Sequence, residues 1–148
     1  MQGYVLSRLG RALTAQGRLS EAAEVYRQAA DLRLELGQPH LAMEPLAGLA
    51  HVALAQGDLA QAQAHVEAIL SHLETGSLDG TDGPFQVYLT CYRVLCAAGN
   101  PRAQAILSTA CRLLQERAAQ IGDETLRRSF LENVVAHREI VEEAARGL

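Results

Sequence analysis

Histidines, cysteines and carboxylates are the side chains of this 148-residue sequence that could bind a metal or transfer a proton. His65 and His72 lie seven residues apart on one predicted helix, about 10 Å along its axis, so they cannot share a metal ion. Cys91, Cys96 and Cys111 match no metal-binding spacing. We expect Cys91 and Cys96 to be small buried apolar residues on different sides of one helix. The spacing predicts no metal site and no cofactor.

One loop carries two aspartates that could suggest calcium. The segment GSLDGTDG, residues 76–83, contains two Asp-Gly pairs and no apolar periodicity. Its acids, Asp79 and Asp82, are three residues apart, and no glutamate closes an EF-hand loop twelve positions after the first. The segment is therefore predicted to be a plain loop.

No residue pattern typical of an enzyme is present. The sequence has no glycine-rich phosphate loop, no nucleophile elbow and no paired-carboxylate cleft. His137 falls on the apolar stripe of the last predicted helix, where a hydrogen-bonded core histidine is expected rather than a general base. Glu142 and Glu143 are expected on a solvated face. We predict that the protein is not an enzyme.

Composition restricts the class of protein further. Apolar residues make up 49% of the chain, few of them aromatic, and Ala and Leu favour helices. All 13 basic residues are Arg, and the net charge of −4 gives no indication of nucleic-acid binding. The three cysteines suggest a reducing, cytoplasmic compartment. We expect no membrane association, because no apolar run approaches the length of about 18 residues that a membrane-spanning helix needs.

Apolar periodicity predicts seven helices and no strand. Each helix is delimited by signals at its ends: glycines that favour left-handed closure, prolines at first turns, and Ser20, Asn100 and Asp123 as N-caps. In the last helix, Leu126, Phe130, Val134, His137 and Val141 form one apolar stripe, and we expect it to continue unbroken through Val135. The fold class is therefore predicted to be all-α.

A repeated frame organises these helices. LTAQGRLSEAAEVY, residues 13–26, and LAQGDLAQAQAHV, residues 54–66, share Ala-Gln-Gly, a charged residue, Leu and a later Ala. Gly17, Gly57 and Gly99 each follow one helix and precede another, and they recur at nearly equal intervals of roughly 40 residues. The pattern indicates a pair of helices written three times.

With these glycines aligned, the first copy resembles the tetratricopeptide repeat (TPR). The matching residues are Leu9, Gly10, Leu13, Ala22, Tyr26 and Ala29 in the first copy; Leu49, Ala50, Ala53, Gly57, Ala62, Val66 and Ile69 in the second; and Cys91, Tyr92, Leu95, Gly99, Ala103, Leu107 and Ala110 in the third. The period is longer than the family's usual repeat of about 34 residues. The proline that ends each family repeat is missing. Longer second helices account for the period.

The resemblance implies one domain, a right-handed α-solenoid of three TPR-like hairpins plus a C-terminal capping helix. Repeat 1 covers about 3–37, repeat 2 about 38–75, the loop 76–83, repeat 3 about 84–121 and the capping helix about 123–146. The closing stretch, residues 123–141, also resembles the terminal helix of helical arrays in large bacterial signalling ATPase or cyclase regulators. There, Val135 stands where that run has Pro.

TPR resemblance also implies a function: a concave groove that binds a peptide or helix of a partner protein or of the parent chain. The groove position of each first helix holds Arg11, His51 and Arg93, with Arg8 and Thr90 about one turn away. These residues predict either a basic stripe suited to an acidic segment or solvated Arg side chains on a surface that needs charge. The alternative is a structural spacer or a self-association module that forms a homodimer through its terminal helices.

Overall fold

The computed structural model describes residues 2–76, 78 and 84–146, and the regular secondary structure of these residues is all α-helix. The prediction of an all-α fold is confirmed. Eight helices are present in this part of the chain, one more than predicted. They are α1 (Gln2–Ala15), α2 (Leu19–Glu35), α3 (Pro39–Ala55), α4 (Leu59–Thr75), α5 (Pro84–Ala97), α6 (Arg102–Ala119), α7 (Glu124–Glu132) and α8 (Val135–Arg146). None of the described helices is long and apolar enough to cross a membrane.

The predicted glycines end the helices. Gly17, Gly37, Gly57 and Gly99 all have positive φ, between 68° and 81°, a conformation that costs glycine nothing sterically. After Gly17, the Arg18 amide donates to the Leu13 carbonyl oxygen at 2.9 Å, so carbonyls at the end of α1 are satisfied.

Of the three predicted N-caps, Asp123 occupies the N-cap position of its helix, where it accepts from the Leu126 amide at 3.0 Å. Asn100 accepts from the Arg102 amide at 2.9 Å, but it lies one residue before the N-cap residue of α6, Pro101. Ser20 is not a cap, because α2 begins one residue earlier, at Leu19, with Arg18 as its N-cap residue. Asp58 caps α4 by accepting from the Gln61 amide at 3.1 Å.

The helices pack as hairpins in two layers. Helices α1 and α2, α3 and α4, and α5 and α6 pack as pairs joined by short turns. Helices α1, α3, α5 and α8 contact one another in that order and form an inner layer. Each outer helix also contacts the next inner one: α2 packs on α3, α4 on α5 and α6 on α8. The inner layer therefore presents one continuous surface.

Close packing of small and large side chains builds the core. Ala22 and Ala29 of α2 are fully buried, as are Ala62 and Val66 of α4. The ring of Tyr26 lies between the backbones of α1 and α3, and a Cβ at Gly10 or Gly48 would come within 2.9 Å of it. Small residues in the helices thus leave room for the large residue of their partner.

The prediction of one unbroken closing helix is wrong, because α7 and α8 are separated at Asn133 and Val134. The break reorients the apolar stripe: Leu126 is 63% exposed and Val134 44% exposed, while Ala136 and Ile140 are buried. The stripe was predicted by assuming one helical period from Leu126 to Val141, and that period does not continue across the break. The sequence pattern therefore placed Leu126 and Val134 on the wrong face.

The guanidinium of Arg127 in α7 donates to backbone carbonyls at the end of α6 and just beyond it. It bonds the Ala118 oxygen at 3.1 Å and the Ile121 oxygen at 2.7 Å. The Ala118 oxygen also accepts from the Ile121 amide at 3.0 Å, so the Arg127 side chain adds donors to the turn that follows α6 and ties the start of α7 to it. The predicted loop at 76–83, with Asp79 and Asp82, lies mostly outside the described residues.

Candidate functional site

A groove of about 660 Å³ crosses the inner layer. Its walls come from α1, α3, α5 and the junction of α7 with α8. Tyr26 of α2 also contributes to the lining. On α3 the lining residues are Glu44, Ala47, Gly48 and His51, whose spacing places them on one helical face. The lining mixes apolar side chains with polar and charged ones.

Three of the five predicted groove residues line this groove. Arg11, His51 and Thr90 come together there from three successive inner helices. Arg8 lies exposed on α1, outside the lining. Arg93 is also outside it, although the repeat alignment places it equivalent to Arg11 and His51.

Arg93 is engaged by the last helix. Its guanidinium forms an ion pair with Glu139 of α8. Beside it, the Tyr92 hydroxyl donates to Glu143 of α8 at 3.2 Å. Both contacts join α5 to α8, so a substitution at Arg93 also removes a contact between these two helices.

The remaining charges in the groove are of both signs. Partial burial lowers the pKa of His51, and the positive charge of Arg93 lowers it further, so the ring is neutral at pH 7. Glu44 of α3 contributes a carboxylate to the same lining as Arg11 of α1. Of the predicted basic stripe, only the Arg11 guanidinium lies in the lining with a positive charge, and the lining also contains the Glu44 carboxylate.

The back of the groove near α1 is polar and well ordered by hydrogen bonds. Burial raises the pKa of Tyr26, whose hydroxyl is hydrogen-bonded to Thr14. Thr14 in turn donates to the Gly10 carbonyl oxygen at 2.8 Å. The Tyr26 hydroxyl stays protonated at neutral pH. Because Thr14 gives its own proton to Gly10, Tyr26 donates to the Thr14 hydroxyl oxygen, and its own oxygen can only accept a hydrogen bond from a group in the groove.

The junction of α7 and α8 closes the other end of the groove, and the repeat pattern did not indicate this. Val134, Val135, Ala136 and His137 line it because the break between the helices turns these residues toward α5. His137 Nδ1 donates to the Phe130 carbonyl oxygen at 2.7 Å. The Asn and Val at the break carry no strong helix-ending signal, so only the resemblance to a run with Pro at position 135 could have suggested it.

His137 is held in an aromatic cluster, which fits the expected hydrogen-bonded core histidine. Its ring packs edge-on against Phe85, with 5.0 Å between centroids, and lies tilted against Phe130, with 4.4 Å between centroids. Arg117 lies over the Phe85 ring at 5.4 Å, within cation–π range. The ring is fixed as part of the packing between α5 and the last two helices.

The cysteines are only partly as expected. Cys91 is buried, and burial raises the pKa of its thiol to about 12, so it is unreactive. Cys96 is exposed rather than buried, because five residues along a helix turn it about 140° away from Cys91. Among the described residues, no cluster of His, Cys, Asp or Glu could hold a metal ion.

Comparison with known proteins identifies a family. The model of the TP_0123_C family, described as a C-terminal domain, matches residues 43–146, which is more than half of the chain. The chain belongs to this family. No curated protein matches the sequence. The family match begins within α3, so α1 and α2 lie on its N-terminal side.

Proposed function

We propose that this protein is a TPR-like helical-repeat scaffold that binds a peptide or helix in the groove of its inner layer. In this proposal the three hairpins form a short right-handed solenoid, and the partner segment comes from another protein or from the parent chain. The protein performs no catalysis. The observation that carries the proposal is the groove itself. Each of the successive inner helices contributes residues to its lining, as expected for the concave surface of a helical-repeat protein.

The chemistry of the lining defines the segment that fits best. Val134 and Val135 offer exposed apolar surface at one end, and Arg11 offers a guanidinium at the other. A short peptide with an apolar side chain and a carboxylate would complement both ends. Since Arg93 is paired and His51 is neutral, contact with the acidic group is concentrated on Arg11.

The binding test starts from peptides selected against the protein from a random displayed library. Arg11→Ala removes a charge-assisted contact worth about 1.5 to 3 kcal/mol, so calorimetry should show affinity reduced about tenfold or more. Val135→Asp should also weaken binding, because it places a charge in the apolar end. Arg112→Ala is the matched control: it removes an exposed α6 side chain that pairs with Glu116, outside the groove.

Salt provides an independent arm of this test. Binding through Arg11 should weaken as salt rises. Selected peptides that ignore both groove substitutions and salt would exclude this surface as the binding site. Failure to select any binding peptide would count against the scaffold function itself.

The setting that we propose is cytoplasmic, as part of the helical-repeat arm of a larger bacterial signalling regulator. The support is the similarity of residues 123–141 to the end of such arrays, together with the family's description as a C-terminal domain. In such an arm the groove would receive a segment of the regulator or of its partner.

Self-association remains a second candidate, favoured by exposed apolar residues on the terminal helices. Val5 and Leu9 on α1 and Leu126 on α7 are large and exposed. Light scattering distinguishes the two functions: a tight dimer favours a self-association module or spacer, whereas a monomer at all concentrations favours the scaffold.

A further inference from the structure

Helix α1 has an apolar face that no described part of the chain covers. Val5, Leu9 and Ala12 lie at spacings of four and three residues, so they share one side of the helix. Val5 is 60% exposed, Leu9 is 46% exposed and Ala12 is also exposed. We call these three residues the α1 face.

The same positions are buried in the two later hairpins. Shifting the α1 face along the chain by the separation of Gly17 and Gly57 gives Pro45, Leu49 and Val52 of α3, all buried. Shifting these in turn by the separation of Gly57 and Gly99 gives the buried residues Val87, Cys91 and Val94 of α5. Burial at these positions is thus shared by the first helices of the two later hairpins, α3 and α5, and α1 departs from it.

The preceding hairpin provides this burial. Leu49 and Val52 belong to one core cluster with Leu13 of α1 and with Ala22 and Tyr26 of α2. Similarly, α5 packs against α3 and α4. Each inner helix therefore packs its equivalent face on the two helices before it, and α1 lacks that pair.

From this equivalence we infer that the α1 face docks one further amphipathic helical hairpin, which precedes α1 in a longer polypeptide. The hairpin continues the stack by the same contacts that α1 and α2 make with α3. It is an interaction surface separate from the groove, and the inference does not depend on what the groove binds.

The family match supports an occupant from the same polypeptide rather than a second copy. The matched family is described as a C-terminal domain, so other sequence precedes it in its members. In this chain the match begins at residue 43, yet α1 and α2 already repeat the helical frame upstream of it. The stack of hairpins therefore extends beyond the N-terminal limit of the family domain.

The surroundings of the α1 face also restrict the side chains of the docking helix. Tyr26 fits against α3 only because Gly48 has no Cβ, since a Cβ there would lie 2.5 Å from the ring. The equivalent residue of α1 is Arg8, and that of α5 is Thr90. Helix α4 carries Val66 at the position equivalent to Tyr26. The second helix of the missing hairpin should thus carry an aliphatic residue, as α4 does, and not an aromatic one.

The test extends the 148-residue chain by one hairpin. A copy of residues 2–41, with Tyr26 of the copy replaced by Val, is placed directly before Gln2 so that the period between Gly17 and Gly57 is kept. We expect a higher Tm than that of the original chain, together with slower hydrogen exchange of the α1 amides. Leu9→Glu should lower the Tm of the original chain by less than about 2 °C, but that of the extended chain by more than about 5 °C. Leu36→Glu, which changes an exposed leucine outside the α1 face, should affect both chains equally.

Each other outcome overturns the inference. If the extension raises neither the Tm nor the protection of α1, the face does not dock a hairpin. If the original chain is a dimer that Leu9→Glu dissociates and Leu126→Glu does not, the occupant is a second copy. Failure of these arms leaves the peptide-binding groove untouched, because no residue of the α1 face lines it.

Discussion

Tyr26 shows how single residues fix the distance between hairpins. Its ring is buried between Gly10 of its own hairpin and Gly48 of the next one. Gly10 and Tyr26 both occupy matched positions of the repeat frame. Gly48 lies outside that frame, and it became meaningful only when the contact between α2 and α3 was known. A sequence reports contacts within a repeat better than contacts between repeats.

Gly48→Ala should destabilise the protein, because the new Cβ would lie 2.5 Å from the Tyr26 ring and force the two hairpins apart. Overpacking of this kind costs about 1 to 3 kcal/mol. The free energy of unfolding in urea measures it. Gly122→Ala is the matched control, since nothing lies within 4 Å of the added atom. Equal stability of the two variants would mean that Tyr26 does not pack between these glycines.

Ala22→Leu tests the contact within the first hairpin. Ala22 is fully buried in α2, in one core cluster with Leu13 of α1, and a larger side chain there should cost about 1 to 3 kcal/mol. Thermal melting followed by circular dichroism measures the loss. Ala64→Leu, at an exposed position of α4, should be nearly neutral. A neutral Ala22→Leu would show that the repeat alignment is wrong.

At the scale of elements, the sequence was most informative where backbone chemistry is local. The glycines with positive φ and the Asp123 cap were predictable because each acts within a few residues of itself. The break at Asn133 and Val134 was not, because it depends on tertiary contacts. At the break, His137 supplies the Phe130 carbonyl with a donor, and the ring of His137 packs against Phe85 of α5. A side-chain donor of this kind leaves no periodic trace in a sequence.

Truncation after Gly122 should disrupt the third hairpin. It removes α7 and α8, and with them Ile140, which is fully buried, and the partners of Arg93 and Tyr92. The exposed surfaces of α5 and α6 should then cause aggregation or loss of a cooperative melting transition. Light scattering and calorimetry of the truncated chain measure both. If the truncated chain stays soluble and its melting is unchanged, α7 and α8 do not stabilise the third hairpin.

For the whole molecule, the sequence predicted where the groove residues lie better than it predicted which of them carry an unpaired charge. The alignment brought Arg11, His51 and Thr90 into one groove, which shows that a repeat period can locate a surface. It could not show that Glu139 of α8 neutralises Arg93, because that ion pair joins parts of the chain 46 residues apart. The position of a side chain was thus easier to predict than its electrostatic state.

The state of His51 leads to a prediction about pH. Burial, followed by the charge of Arg93, lowers the pKa of His51, and burial, followed by the charge of Arg27, lowers that of His65. Both rings therefore take up a proton at higher pH in the unfolded chain, whose histidine pKa is near 6.5. Protonation favours unfolding, so this contribution to stability is complete above 6.5 and falls as the pH drops toward the lower pKa values of the folded chain.

Urea unfolding between about pH 7.5 and pH 5.5 measures this contribution, since most carboxylates remain ionised over that range. The double variant His51→Gln and His65→Gln should have a smaller decrease in the free energy of unfolding across the range than the unmodified chain. An identical decrease would mean that neither ring is shielded in the fold. The same proton has the opposite effect on the groove: once charged, His51 adds a second cation beside Arg11, so an acidic peptide should bind more tightly as the protein becomes less stable.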